Sequence, residues 1–351
     1  DERAWRAAWR AAAARPVTPG WGDRRGEPRL RAEIAEHLRV ARGVDAHPDE
    51  IRVAAGTSEA LAVLAQALGD LLGRSPAIAV EDPGYPTARR ILARQGARLT
   101  PVAVDDDGFD ADLLDGLPER PDAVLLTPSH HYPLGGRLPL PRRLALVDWA
   151  ARTGGVLVED DYDSEFRHTG APLPALASLD RGAGRVVLLG SLSKVLTPSL
   201  RLGWLLVRDP VLRAAIDAVR ADLDAPMSVV AQDAAARLLE SGALRRHIAA
   251  VRREYAHRRG LVLDALGDLD LPGVRLRGLD GGLHGVLELP SAVVEDAVLD
   301  RLADAGVRVA RLRDYRVETA AAGIIFGYAA PTDLRLAAAL AEIARAVRAS
   351  V

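Results

Sequence analysis

Short apolar runs alternate with longer amphipathic stretches through the first two thirds of the chain. The runs fall at Ile51–Ala55, Ala77–Glu81, Leu99–Val104, Ala123–Thr127, Val156–Asp160, Val186–Gly190 and Gly203–Val207. They are rich in Val, Leu and Ile and read as strands buried on both faces. Helical spacing of apolar residues fills most of the gaps, at Ser58–Leu72, Pro86–Gln95, Asp110–Leu114 and Pro141–Thr153. Strands alternating with helices predict an α/β layer with a large, mostly parallel, seven-stranded sheet. The last run follows Lys194 closely, so an antiparallel seventh strand is expected. Ahead of this layer the pattern predicts a helix over Asp1–Arg15, a break at Pro16–Gly20, and a Gly/Pro/Arg loop from Trp21 into a second helix ending near Arg42.

After Asp209-Pro210 the pattern changes. Helices are predicted over Val211–Leu223, Ser228–Ser241, Ala243–Leu266, Ala292–Ala305 and Thr332–Ala349, with short strands near Val274–Leu276, Leu283–Leu289, Val307–Ala310 and Gly323–Tyr328. This reads as a smaller α+β unit. The division drawn from the pattern is an N-terminal segment over 1–45, a large domain over 46–222 and a small C-terminal domain over 223–351. No internal repeat or low-complexity linker interrupts it.

Composition narrows the chemistry. The 351 residues are 49% hydrophobic, enough for a large core, and the net charge of −2 gives no general reason to expect nucleic-acid binding. With no cysteine there is no disulfide framework and no thiolate metal site. No apolar run reaches the roughly 18 residues of a membrane span, so a soluble, cytoplasmic protein is expected. The chain starts without Met, directly in a helical pattern, which suits a piece of something longer.

One residue stands out. Of 46 basic residues, Lys194 is the only lysine; the rest are arginine. An amine that can lose its proton and attack a carbonyl is what arginine cannot supply. A leftover surface lysine is the bland alternative. The neighbours weigh against it: a buried-strand pattern at Val186–Leu189, then Ser191 and Ser193, and Arg201 seven residues on. Hydroxyls and a guanidinium around one amine suit a phosphate-bearing aldehyde held as a Schiff base. Ser191-x-x-Lys194 also matches an acyl-enzyme motif, but its companion elements need Asn and a second Lys, and the chain has neither.

Four other stretches fall at strand ends, where open α/β sheets place ligands. Gly56-Thr57-Ser58 opens a helix whose N–H groups could bind an anion, or it is an ordinary N-cap. Glu81-Asp-Pro-Gly-Tyr85 presents Tyr85 on a turn, to stack on a flat ring or simply to pack. Thr127-Pro-Ser-His-His-Tyr-Pro carries two histidines, but adjacent residues rarely chelate one ion and no carboxylate stands beside them at metal spacing, so no metal is expected. Val156-Leu-Val-Glu-Asp-Asp-Tyr-Asp-Ser-Glu-Phe166 ends a strand in clustered carboxylates. They could face a pyridinium nitrogen, work as a hydrolytic acid pair, or hold Mg²⁺.

Together, in this order, the five stretches resemble fold-type I pyridoxal phosphate (PLP) enzymes of the aspartate aminotransferase kind. More closely they resemble the effector domain of MocR-type regulators, a branch of the GntR family. The resemblance runs from about Trp21 to Ala349, and its most specific pieces include Gly-Asp-Arg-Arg-Gly-x-Pro-x-Leu-Arg at 22–31 and Ser-Leu-Ser-Lys-x-Leu-x-Pro-x-Leu-Arg-Leu-Gly at 191–203. It implies PLP as cofactor, with Lys194 as the Schiff-base lysine, Asp160 as partner of the pyridine nitrogen and Tyr162 as donor to the phenolic oxygen. It implies Tyr85 as the stacking aromatic, and Gly56, Thr57, Ser58, Ser191, Ser193 and Arg201 as the phosphate cup. It further implies a homodimer with a shared site. Three positions depart from the aminotransferase pattern. Tyr132 replaces an Asn, Trp21 stands where a tyrosine often reaches the partner's phosphate, and Ile325 occupies the place of the arginine that holds a substrate carboxylate. The expected function is therefore a PLP-binding regulator domain that senses PLP, or a small amine as its aldimine. DNA would be bound through a winged-helix domain preceding Asp1. The alternative is a free-standing PLP-dependent aminotransferase.

Overall fold

The computed structural model describes residues 2–16, 20, 22–180, 182–223 and 227–351. The seven apolar runs form one sheet from β1 (Ile51–Ala54), β2 (Ala77–Asp82), β3 (Arg98–Ala103), β4 (Ala123–Leu126), β5 (Val156–Asp161), β6 (Val186–Ser191) and β7 (Gly203–Val207). Their spatial order is β1-β7-β6-β5-β4-β2-β3. Only β7 runs against the rest, pairing antiparallel with both β6 and β1. The turn from β6 to β7 is too short for a crossover helix, so the chain must reverse.

Both faces of this sheet are buried, which is why its strands lack polar alternation. Along β4, β5, β6 and β7, Val124, Leu126, Leu157, Val186, Leu188, Trp204 and Leu206 enter one core. The residues between them, Leu125, Val156, Val158, Val187, Leu189, Leu205 and Val207, enter the other. Successive strand residues point to opposite faces, and both faces carry helices. Thr57–Leu72, Pro86–Arg94 and Pro210–Asp222 supply the second core. Pro28–Arg42, Leu140–Thr153 and Leu176–Leu179 supply the first.

A second, smaller antiparallel sheet has the order β10-β11-β9-β8, from β8 (Arg275–Arg277), β9 (His284–Glu288), β10 (Ala310–Arg311) and β11 (Gly323–Gly327). The helices Ala292–Asp304 and Asp333–Arg348 pack on it around Leu287, Ile324 and Phe326. The long helix Ala243–Leu266 joins the two bodies: Leu244 belongs to the first sheet's core, Val262 and Leu266 to the second sheet's. Met227, Ala235 and Ala236 also bury with the first sheet, and Gln232 Oε1 accepts the Glu27 N–H at 2.7 Å.

Some expected elements differ in detail. Asp110–Leu114 is not an α-helix but part of a 3-10 stretch, Ala111–Gly116, which Asp110 caps by accepting the Asp112 N–H; Gly116 and Pro118 stop it from growing. The strand expected over 307–310 shrinks to Ala310–Arg311, because Leu312–Tyr315 turns away as a 3-10 helix. The first helix covers Glu2–Ala13. No helix among the described residues is long and apolar enough to cross a membrane.

Candidate functional site

A cavity of about 720 Å³ opens between the two sheets. The ends of β4, β5 and β6 supply Thr127, Asp160, Tyr162, Ser191, Ser193 and Lys194. The helix start supplies Thr57 and Ser58, and the loops add Tyr85, Tyr132 and Arg201. The second sheet closes the other wall with Leu283, His284, Ala310 and Ile325. Nine of the ten candidate residues thus line one cleft. The tenth, Gly56, lies just behind it. Trp21 falls outside the described residues.

The cleft's chemistry follows from local geometry. Gly56 caps the helix Thr57–Leu72 with φ +83°, and a Cβ there would meet the Arg201 guanidinium at 3.4 Å. Only glycine keeps that approach open without strain. Arg201 is the one non-glycine residue with left-handed backbone among the described residues, φ 50°. Its Nη2 donates to the Ala55 carbonyl at 2.9 Å, which holds the guanidinium over the helix N-terminus. A helix N-terminus beside a guanidinium and two serine hydroxyls is a built anion site. Lys194 sits on the turn after β6 and is exposed to the cleft.

Asp160 and Asp161 leave β5 on opposite faces. Asp161 turns away and pairs with Arg42 at 2.7 Å. Asp160 faces the cleft, buried, with Oδ1 lacking any hydrogen-bond partner in the structure. Burial, then the nearby Asp161 and Asp163, push its carboxyl up to about 7. Lys194 offsets this only in part, and a protonated ring nitrogen would supply a closer cation.

Sequence reasoning missed a second layer. Tyr162 Oη lies 3.0 Å from His130 Nδ1, and the same nitrogen lies 2.8 Å from Asp163 Oδ2. Burial opposes charging His130, but Asp163 outweighs it and holds the imidazole above its ordinary range. Burial, then Asp163, raises the Tyr162 phenol well above its usual value, so its hydroxyl stays protonated. The expectation that no carboxylate stands at metal spacing beside the histidine pair concerns neighbours in the chain; in space one stands beside it. Asp163 does so from 33 residues away, and His130, Asp163 and His284 bring ligand-type atoms within 4.8 Å of one another. His284 commits Nε2 to the Pro133 carbonyl at 2.8 Å. The Asp-x-x-Phe spacing after Tyr162 gives no hint of this contact; only the fold brings 130 to 163.

Tyr85 stands at the cleft edge, its ring 5.8 Å from that of Tyr132 and nearly perpendicular to it. Its turn is tied to the second sheet's body. Asp82 accepts the N–H groups of Val317, Glu318 and Thr319 at 2.7, 2.8 and 3.0 Å, and the Gly84 N–H donates to the Tyr315 carbonyl. The cleft is therefore built by both bodies together.

The family described as aminotransferase class I and II matches residues 2–349. The chain belongs to that family. It is 43% identical over 348 residues to the HTH-type pyridoxine biosynthesis transcriptional regulator PdxR of Corynebacterium glutamicum, covering 99% of this chain and 73% of that protein. It is 36% identical over 306 residues to the probable rhizopine catabolism regulatory protein MocR of Rhizobium meliloti, covering 87% of this chain and 60% of that one. Among solved structures, the α-aminoadipate aminotransferase LysN of Thermus thermophilus, complexed with N-(5'-phosphopyridoxyl)-L-leucine, superposes with TM-score 0.87 at 29% identity. The match covers 99% of this chain and 88% of that one. The resemblance to MocR-type regulators on a fold-type I aminotransferase scaffold is borne out. The cofactor of this aminotransferase-like domain is PLP. The residues fit it: a lone amine, an unsatisfied buried carboxylate oxygen and an anion cup line one cavity.

Proposed function

We propose that this chain is the PLP-binding, ligand-sensing part of a MocR-type transcriptional regulator, and that it recognises a small amine or amino compound at the cofactor. The observation that carries the sensor reading is the mismatch inside one cleft. The cofactor set is complete, yet Ile325 lines the wall where the resemblance places a carboxylate-binding arginine. Ile325 is buried and pairs with Ala310 across β11 and β10, so its own side chain brings no charge, although Arg308 also lines the cleft. A substrate carboxylate laid there would be desolvated against alkyl groups. The similarity to PdxR and MocR supports the regulator reading. DNA contact would belong to a winged-helix module outside these residues, and a homodimer sharing the site, in the cytoplasm, completes the reading.

The roles follow from position. Lys194 is the amine that holds the cofactor aldehyde. Asp160 keeps the proton on the ring nitrogen, and Tyr162, held by His130, donates to the phenolic oxygen. Tyr85 packs on the ring, while Gly56, Thr57, Ser58, Ser191, Ser193 and Arg201 bind the phosphate. When bound, the cofactor supplies an electron-withdrawing ring conjugated to whatever amine it carries. What the protein does not supply at Ile325 is a clamp that orients an α-carboxylate, and orientation is worth several orders of magnitude in rate. Binding of amines is therefore expected to outrun turnover.

Two measurements test this. Amino acids and simple amines mixed with the PLP-loaded protein should change its visible absorbance with little keto-acid release to 2-oxoglutarate. Multiple turnover at about 1 s⁻¹ or faster with a common α-amino acid, as ordinary enzymes achieve, would promote the second reading, a free-standing aminotransferase. The likeness to LysN favours that alternative. Separately, Arg201→Ala should weaken PLP by about 2–3 kcal/mol, the worth of a charge-assisted contact to a bound anion. Pyridoxal, lacking the phosphate, should bind both forms alike. An equal loss with pyridoxal would make Arg201 a fold residue instead.

A further inference from the structure

Behind Tyr162, on the far side of His130 from the cleft, lies a second pocket of about 30 Å³. It shares no lining residue with the cofactor cleft. Four guanidiniums face it, from Arg42, Arg137, Arg143 and Arg167. Three are fixed by the fold. Arg143 is fully buried and donates to the carbonyls of Leu138, Pro174 and Pro128. Arg137 donates to those of Thr169 and Ala171. Arg42 pairs with Asp161 and donates to Ser129 Oγ at 2.8 Å.

Arg167 differs. Among the described residues it has no carboxylate partner, and its charged neighbours are Arg252, Arg137 and Arg42. Burial and then those three cations hold its guanidinium below the ordinary arginine range. Two acids share the pocket. Asp163 holds His130 through Oδ2 while its buried Oδ1 has no hydrogen-bond partner, and Asp280 accepts the Thr169 hydroxyl at 2.7 Å. Two donors remain. Ser129 Oγ takes an N–H from Arg42 and keeps its own O–H to give. His130 Nε2 is buried and makes no full hydrogen bond, with only a weak contact to the Gly278 backbone. Four guanidiniums against two lining carboxylates leave positive charge in excess, and an oxyanion would meet fixed, preorganised donors.

We propose that this pocket binds a small oxyanion such as phosphate, and that His130 carries its presence to Tyr162 in the cofactor cleft. The volume sets the ligand's size. It is two to three times the roughly 10–15 Å³ that one water needs, enough for a small ion and too little for a cofactor or a nucleotide. The connection is short. His130 lines the pocket, and its Nδ1 lies 3.0 Å from Tyr162 Oη. An anion drawn toward Nε2 changes the hydrogen bond that His130 offers Tyr162. The cofactor-bound domain would then read two signals, one at the PLP and one at the anion. This second part rests on the PLP reading above; the binding part does not.

The test uses the whole chain, loaded with PLP and reduced with borohydride so that the cofactor's own phosphate occupies the Arg201 cup. Inorganic phosphate is titrated calorimetrically at constant ionic strength, with chloride as control. One saturable phosphate site is expected, weakened at least about tenfold by Arg167→Gln, as for loss of a charge-assisted contact. Arg167→Lys, which keeps the charge and loses the fork, should fall between. Melting temperature checks that each variant folds. No phosphate-specific heat, or a site unchanged in Arg167→Gln, overturns the proposal. In the unreduced protein, phosphate should shift the visible spectrum, and His130→Gln should abolish that shift while phosphate still binds, more weakly for the lost Nε2 donor. A shift that survives in His130→Gln overturns the connection. If no PLP spectrum forms at all, the cleft reading has failed. The same titration on Arg201→Ala without cofactor then decides the pocket alone.

Discussion

Lys194→Ala should abolish covalent retention of PLP. The wild-type protein, incubated with PLP and gel-filtered, should keep a visible absorbance, and borohydride should fix the cofactor's mass on the peptide carrying residue 194. The variant should lose both. The expected size of the effect is set by chemistry rather than by packing, because the chain holds no other lysine and guanidiniums stay protonated. Lys194 is exposed on a turn, so its removal should leave the melting temperature of the cofactor-free protein nearly unchanged. The noncovalent contacts at Arg201, Asp160 and Tyr162 remain, so the variant should still bind PLP reversibly. A fixed cofactor in Lys194→Ala would mean that the N-terminal amine or a surface site traps it, and the cleft assignment would fall.

Asp160→Asn should move stability in opposite directions with and without cofactor. Without it, Asp160 is a buried carboxyl raised from 3.8 to about 7 with one oxygen unsatisfied. The folded protein then binds more protons than the unfolded chain between roughly pH 4 and pH 7, so stability falls as pH rises through that window. The shift corresponds to about 4 kcal/mol at most. Asn cannot ionise, so the variant escapes this loss. At pH 8 and without PLP it should be more stable than the wild type, by about 2–4 kcal/mol. At pH 4 the two should be alike. With PLP the sign reverses. The ionised carboxylate gains a cationic ring nitrogen, and replacing it should cost about 2–3 kcal/mol of cofactor affinity. Urea midpoints at both pH values, with and without PLP, decide the matter. A less stable cofactor-free variant at pH 8 would show that Asp160 already has a partner.

Most of the frame was legible in the chain. The seven strands appear where the apolar runs stand, because both faces of the sheet are buried and no polar alternation blurs the signal. The reversal at β7 followed from loop length alone. Most of the candidate cleft residues were legible too, since they lie at strand ends or a helix start, where glycine, serine and a single lysine stand out against Ala and Arg. Alternation along β5 placed Asp160 and Asp161 on opposite faces, and only the position of Arg42 shows which face is structural. The weaker elements were misread where local signals conflict. Asp110–Leu114 has helical spacing, but a cap and a following Gly and Pro leave it one 3-10 stretch.

Spacing and residue type are enough to mark strands, turns and the lysine because those depend on neighbours in the chain. They carry no record of contacts between residues far apart. Asp82 caps three N–H groups some 235 residues away, His130 meets Asp163 and Tyr162, and Arg167 faces Arg42, Arg137 and Arg252. These contacts decide which tyrosine is held and which carboxylate pairs with an arginine. They also decide where positive charge collects. The first depends on how the two bodies close on one another, the others on which strands and loops of the first body lie side by side. Electrostatic and hydrogen-bond energies fall off over a few ångströms, so a separation in space, invisible in the order of residues, settles them.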